Sequence, residues 1–107
     1  MDLESSVMEL LIQAGSARSS LLTALRQARH GDTGAALAGM AEARAAISLA
    51  HKIQTQLISL DEGSGKIPCS LILMHAQDHL MNAMLVQDLA ADLIELYRRI
   101  PQGAHHD

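Results

Sequence analysis

The chain is predicted to be all-α, a long antiparallel three-helix bundle that buries part of its surface against further copies of itself. Three observations lead there. Apolar residues recur at three- and four-residue spacing over three stretches of roughly 27 to 31 residues each, the period of one helix face. Two clusters of helix-breaking residues separate those stretches, one at His30 to Asp32 and the other the run DEGSGKIP from Asp61 to Pro68. The 107 residues are largely aliphatic, with one tyrosine and neither tryptophan nor phenylalanine. Each buried side chain is therefore small, and a lone bundle of this length lies near the lower limit of independent stability.

The first helix spans Leu3 to Arg29, with Leu3, Val7, Leu10, Leu11, Ala14, Ala17, Leu21, Leu25 and Ala28 on its apolar face. The run AGSARSS from Ala14 to Ser20 is almost all small, and Gly15 in mid-helix costs about 1 kcal/mol relative to alanine. A close helix crossing there would account for it. Arg18 is the residue of this run that could meet a phosphate or a carboxylate. Gly31 supplies a left-handed turn and Asp32 an N-cap oxygen, and so short a connection folds the second helix straight back.

The second helix runs from Thr33 to Leu60, with Leu37, Met40, Ala43, Ile47, Ala50, Ile53, Leu57 and Leu60 as its buried stripe. His51, Lys52, Gln54 and Thr55 interrupt this with polar groups, and His51 is either a surface residue or a partner that touches a residue of the site. After the Asp61 to Pro68 loop, Ser70 offers the N-cap of a third helix that continues to Ile100. The expected division is one domain over residues 1–100 and a flexible tail over 101–107, whose His105 and His106 lack a third ligand and are read as solvent-exposed.

The chemistry concentrates in the third helix, at LMHAQDHLM from Leu73 to Met81. His75 and His79 stand one turn apart on one face, with Asp78 beside them. The helical period gives Leu71, Met74, Asp78, Met81, Leu85, Leu89 and Leu93 as a single stripe, which puts the Asp78 carboxylate in a seam expected to be buried. There it would need a metal ion, a cation or a shared proton. His75 lies at the edge of that stripe, where a ring nitrogen can stay open to a partner.

Two chemistries fit the pair of histidines. Imidazoles one turn apart can share a zinc ion, although a zincin protease needs a glutamate directly after the first histidine, where this chain has Ala76. A neutral imidazole can also accept a phosphoryl group and surrender it, with Gln77, His79 or a residue of a neighbouring helix binding the phosphoryl oxygens.

Other function classes fall away. A net charge of −4 with scattered lysines and arginines makes no basic stripe, and stacking aromatics for single strands are absent. Nucleic acid is therefore not an expected partner. No apolar run approaches the roughly 18 residues of a membrane span, and the acidic start MDLESSVMELL is unlike a signal peptide, so a cytoplasmic protein without membrane insertion is expected. The single Cys69 cannot form an intramolecular disulfide and is read as a small residue near a helix start. EGSGK, Glu62 to Lys66, lacks Walker spacing and reads as a connector rather than a nucleotide site.

Three separated motifs, AGSARS at Ala14 to Ser19, AHKIQTQLI at Ala50 to Ile58, and HAQDHLM followed by AMLVQDLAADLIELYRRI, together resemble the lactose/cellobiose class of enzyme IIA. These are soluble phosphocarriers of the bacterial sugar phosphotransferase system. The resemblance covers about Leu3 to Ile100 and departs from many relatives in the alanine-rich stretch Gly34 to Ala46. It implies that His75 is phosphorylated, on Nε2, by phospho-HPr and passes the group to a cysteine of the cognate enzyme IIB. Gln77 and His79 would be supporting groups. It implies a homotrimer in which Asp78 of each subunit approaches the threefold axis and shares one Mg2+. The transported sugar stays open among lactose, cellobiose, diacetylchitobiose and related disaccharides. The competing readings are a non-catalytic helical oligomer and a metal-binding bundle using His75, Asp78 and His79.

Overall fold

In the computed structural model, which describes residues 2–101, the chain forms three helices: α1 (Leu3–Arg29), α2 (Thr33–Asp61) and α3 (Leu71–Arg99). They lie side by side in a rod 56 × 19 × 19 Å, of whose length helices rising 1.5 Å per residue account for about 40–44 Å. The expected fold class and helix order hold, and α2 ends one residue later than the pattern suggested. Among the described residues no helix is long and apolar enough to cross a membrane.

The turn chemistry is as the sequence dictates. Gly31 takes a φ of 87°, and the Asp32 carboxylate accepts a hydrogen bond from the Ala35 N–H at 3.1 Å to cap α2. Ser70 caps α3 in the same way, accepting from the Leu73 N–H at 3.2 Å. Between them the connector is tied down by Asp61, whose carboxylate accepts from the N–H groups of Gly65 and Ile67 at 3.3 and 2.9 Å.

The core is small-residue packing around α1, which touches both other helices far more than α2 and α3 touch each other. Val7, Leu10, Ala14, Ala17, Leu21 and Ala28 of α1 are buried, as expected of that face, and Ala24 is buried with them. The α2 stripe from Met40 to Leu57 is buried or half-buried, while its ends, Leu37 and Leu60, are exposed. The close crossing touches the small-residue run at its end, Ser20, and does not involve Gly15. A Cβ on Gly15 would meet nothing within 4 Å, whereas one on Gly39 would come within 3.2 Å of the Ala24 Cβ and 3.5 Å of the Ser20 carbonyl oxygen. Gly39 is what lets α2 approach α1 so closely.

The third helix corrects the sequence reading. Its buried face is Leu73, Ala76, Leu80, Ala83, Ala90 and Ile94. The stripe expected to be buried, from Leu71 through Met74, Asp78, Met81, Leu85 and Leu89 to Leu93, is exposed in the chain, with Leu71 at 81% and Leu85 at 58%. The helix carries two apolar stripes on opposite sides. Alanines occupy the inner one because they allow α1 to come close, and the bulkier side chains are left outside.

Candidate functional site

His75 enters the second turn of α3, exposed, beside a shallow concavity formed with Leu71 and Ile72. One turn on, the half-buried His79 brings its Nε2 within 3.1 Å of the His75 Nε2, with the rings edge to face, their centroids 4.4 Å apart and their planes at 86°. At this distance one of the two nitrogens carries the proton and the other accepts it; which one depends on the tautomers. The helix alone enforces the pairing, because positions i and i+4 lie on one face.

Within a single chain Asp78 does not face the burial penalty expected of it. It is exposed on the outer stripe, and its Oδ2 accepts a hydrogen bond from the Asn82 amide at 3.2 Å. The remaining oxygen lone pairs point to solvent. Among the described residues of one chain, no three His, Cys, Asp or Glu groups converge as a metal site, so a single chain offers one carboxylate here.

Gln77 is not brought to His75. It lies about 200° round the helix, on the side that faces α2, where its Oε1 accepts a hydrogen bond from Gln54 at 2.6 Å. The Gln54 amide also lies 3.7 Å from the Met81 sulfur. With its carbonyl engaged, Gln77 has its NH2 group left to donate, at the wall of an apolar groove of about 350 Å3 that runs past Leu57, Ile67 and Cys69. Gln54 is the residue that sequence reasoning passed over as a mere interruption. The signal was present: Gln54 falls in the α2 stripe, four residues after Ala50 and three before Leu57, where a polar side chain needs a partner.

The other candidates stand apart. Arg18 and His51 are exposed, and neither makes a hydrogen bond or ion pair among the described residues. Cys69 is a free, exposed thiol just before α3. His105 and His106 lie outside the described residues.

An exposed imidazole whose Nε2 meets a second imidazole one helical turn on suits group transfer or metal binding. The comparison with known proteins decides the family. Residues 5–98 match the family model described as the lactose/cellobiose-specific IIA subunit of the phosphotransferase system. The chain belongs to this IIA family. As such it is a phosphocarrier component of the sugar phosphotransferase system. It is 50% identical over 99 residues to the N,N'-diacetylchitobiose-specific EIIA component of Escherichia coli, covering 92% of this chain and 85% of the relative. The crystal structure of the cellobiose-specific enzyme IIA from Bacillus anthracis superposes with a TM-score of 0.86 at 40% identity, covering 92% of this chain and 91% of that one. The IIA(chitobiose) chain in the solution structure of its complex with HPr, from Escherichia coli, aligns with a TM-score of 0.77 at 48% identity, covering 92% and 96%.

Proposed function

We propose that this IIA component takes a phosphoryl group from phospho-HPr onto Nε2 of His75 and hands it to a cysteine of its cognate enzyme IIB, during uptake of a lactose-, cellobiose- or chitobiose-type sugar. The observation that carries the reading is the exposed Nε2 of His75, held 3.1 Å from a second imidazole in a chain 48% identical to a IIA solved in complex with HPr. In the transfer, the Nε2 lone pair of His75 attacks phosphorus in line. The bond from phosphorus to the donor nitrogen breaks, and the donor imidazole departs with that electron pair. Positioning and electrostatics supply most of the acceleration.

His79 supports this step. With the proton on its own Nε2, it donates to Nε2 of His75, which keeps the His75 proton on Nδ1; that hydrogen bond breaks as the freed Nε2 lone pair attacks phosphorus. Once the phosphoryl group arrives, the same N–H is in reach of a phosphoryl oxygen. Gln77 faces the α2 side and is not within one chain a supporting group for His75.

The oligomer proposed is a homotrimer built on the exposed α3 stripe. Leu71, Met74, Met81, Leu85, Leu89 and Leu96 are each more than half exposed on one face of the helix, an apolar row of the kind that marks an interface. Threefold symmetry about that stripe would bring three Asp78 carboxylates together. Their hard oxygen donors suit Mg2+, which would neutralise the like charges and aid assembly. The phosphoryl transfer itself runs through the imidazoles. Such a protein works in the cytoplasm, beside the membrane component rather than within it.

Incubation with phosphoenolpyruvate, enzyme I and HPr, followed by intact mass measurement, tests the reading. Wild type should gain one acid-labile phosphoryl group and His75→Ala none. An unchanged wild-type mass while HPr itself is phosphorylated would overturn it.

A further inference from the structure

We propose that His75 and His79 form a chelating site for a borderline transition-metal ion such as Zn2+, and that an ion held there blocks the phosphoryl acceptor. The blocking half rests on His75 being the acceptor; the site itself does not. Two zinc-bound nitrogens at 2.0–2.1 Å from the metal lie about 3.3 Å apart at the tetrahedral angle and about 2.9 Å apart at a right angle. The two Nε2 atoms stand 3.1 Å apart, between those values, before any ion is present. A bidentate grip therefore needs small rotations of two rings and no movement of the helix that carries them.

The rest of the geometry favours the same ion. Both rings are open to solvent in part or in full, and a site that a donor protein must reach can also be reached by a hydrated cation. Imidazole nitrogen selects Zn2+, Ni2+ and Cu2+ over Mg2+, so this site would be chemically separate from an oxygen site at Asp78. One chain supplies two ligands, and water fills the remaining positions. Binding requires both Nε2 lone pairs, so the proton now shared between those atoms moves through solvent to Nδ1 of the ring that carries it, with no net release. The lone pair that coordinates the metal is the one that would attack phosphorus. Metal and phosphoryl group therefore exclude each other, and each weakens the other's hold by linkage.

The test is a titration of the full chain with Co2+ and then Zn2+, followed by the visible cobalt spectrum and by calorimetry, in a background where His105 and His106 are glutamine. The unphosphorylated protein should show nitrogen-bound cobalt displaced by zinc, one ion per chain. His75→Gln and His79→Gln should each weaken binding by at least about tenfold, because a single imidazole loses the chelate, while Asp78→Asn should leave it in place. Circular dichroism checks that each variant keeps its helices. Chain purified after phosphorylation should take up no zinc. Binding that survives either histidine substitution, or the phosphoryl group, would overturn the proposal. If the chain accepts no phosphoryl group in metal-free buffer, the acceptor reading fails, while the titration of the histidine variants still decides the site.

Discussion

Replacing Leu85 with aspartate should break the proposed homotrimer and leave the helical chain intact. Leu85 is 58% exposed in the single chain, on the outer stripe of α3. Full burial of a leucine is worth about 1.5–3 kcal/mol, so covering the exposed fraction contributes roughly 1–1.7 kcal/mol per protomer and about 3–5 kcal/mol per trimer. Losing that term alone lowers the association constant by about two to four orders of magnitude, and three added carboxylates near one axis lower it further. Leu49 is the control. It is comparably exposed, at 51%, but lies about 140° round α2 from Gln54, away from α3. Sedimentation equilibrium over a range of concentrations reads the outcome. Wild type and Leu49→Asp should sediment at three times 11.5 kDa, and Leu85→Asp near 11.5 kDa at the same loading. A wild-type chain that is monomeric, or a Leu85→Asp chain that assembles as tightly as wild type, would refute the assignment of this stripe.

Four further outcomes follow from the geometry. Asp78→Leu should keep the trimer, because an apolar side chain replaces three converging like charges, and dissociation to monomers would count against placing Asp78 at the axis. Gly39→Leu should lower the thermal midpoint by the equivalent of about 1–3 kcal/mol, since its Cβ already meets Ala24 and the Ser20 carbonyl. Gly15→Ala, with open space around the new methyl, should raise it by about 0.5–1 kcal/mol; equal effects at the two sites would refute the crossing. Gln54→Leu should cost about 1–2 kcal/mol by orphaning the half-buried Gln77 carbonyl, and the double change with Gln77→Leu should recover part of it in chemical denaturation. Strict additivity would mean that the two amides do not interact.

Much of the fold was written locally. Gly31, Asp32 and Ser70 mark helix ends by backbone and capping chemistry that depends on nearest neighbours, and α1 has one apolar face and so one way to pack. α3 was harder, because its period is satisfied by two stripes. Hydropathy favours Met74, Met81 and Leu85, while close packing against α1 favours Ala76, Ala83 and Ala90, and the choice between them is tertiary. Gly15 and Gly39 teach the same lesson. Both are glycines within helices, and only the position of the neighbouring helix separates a crossing from an open surface. Within the site, the His75 and His79 pair followed from spacing on one helix. The Gln54 and Gln77 pair joins two helices and needed the fold to be seen.

The atom that receives the phosphoryl group distinguishes a phosphocarrier built on His75 from every competing chemistry. Heteronuclear magnetic resonance of the isotope-labelled chain, phosphorylated by phosphoenolpyruvate, enzyme I and HPr, reports phosphorus coupling to individual imidazole nitrogens. The expected result is coupling to Nε2 of His75, with the His79 ring shifted but uncoupled. Phosphorus on His79, on Nδ1 of His75, or on no histidine would contradict the account.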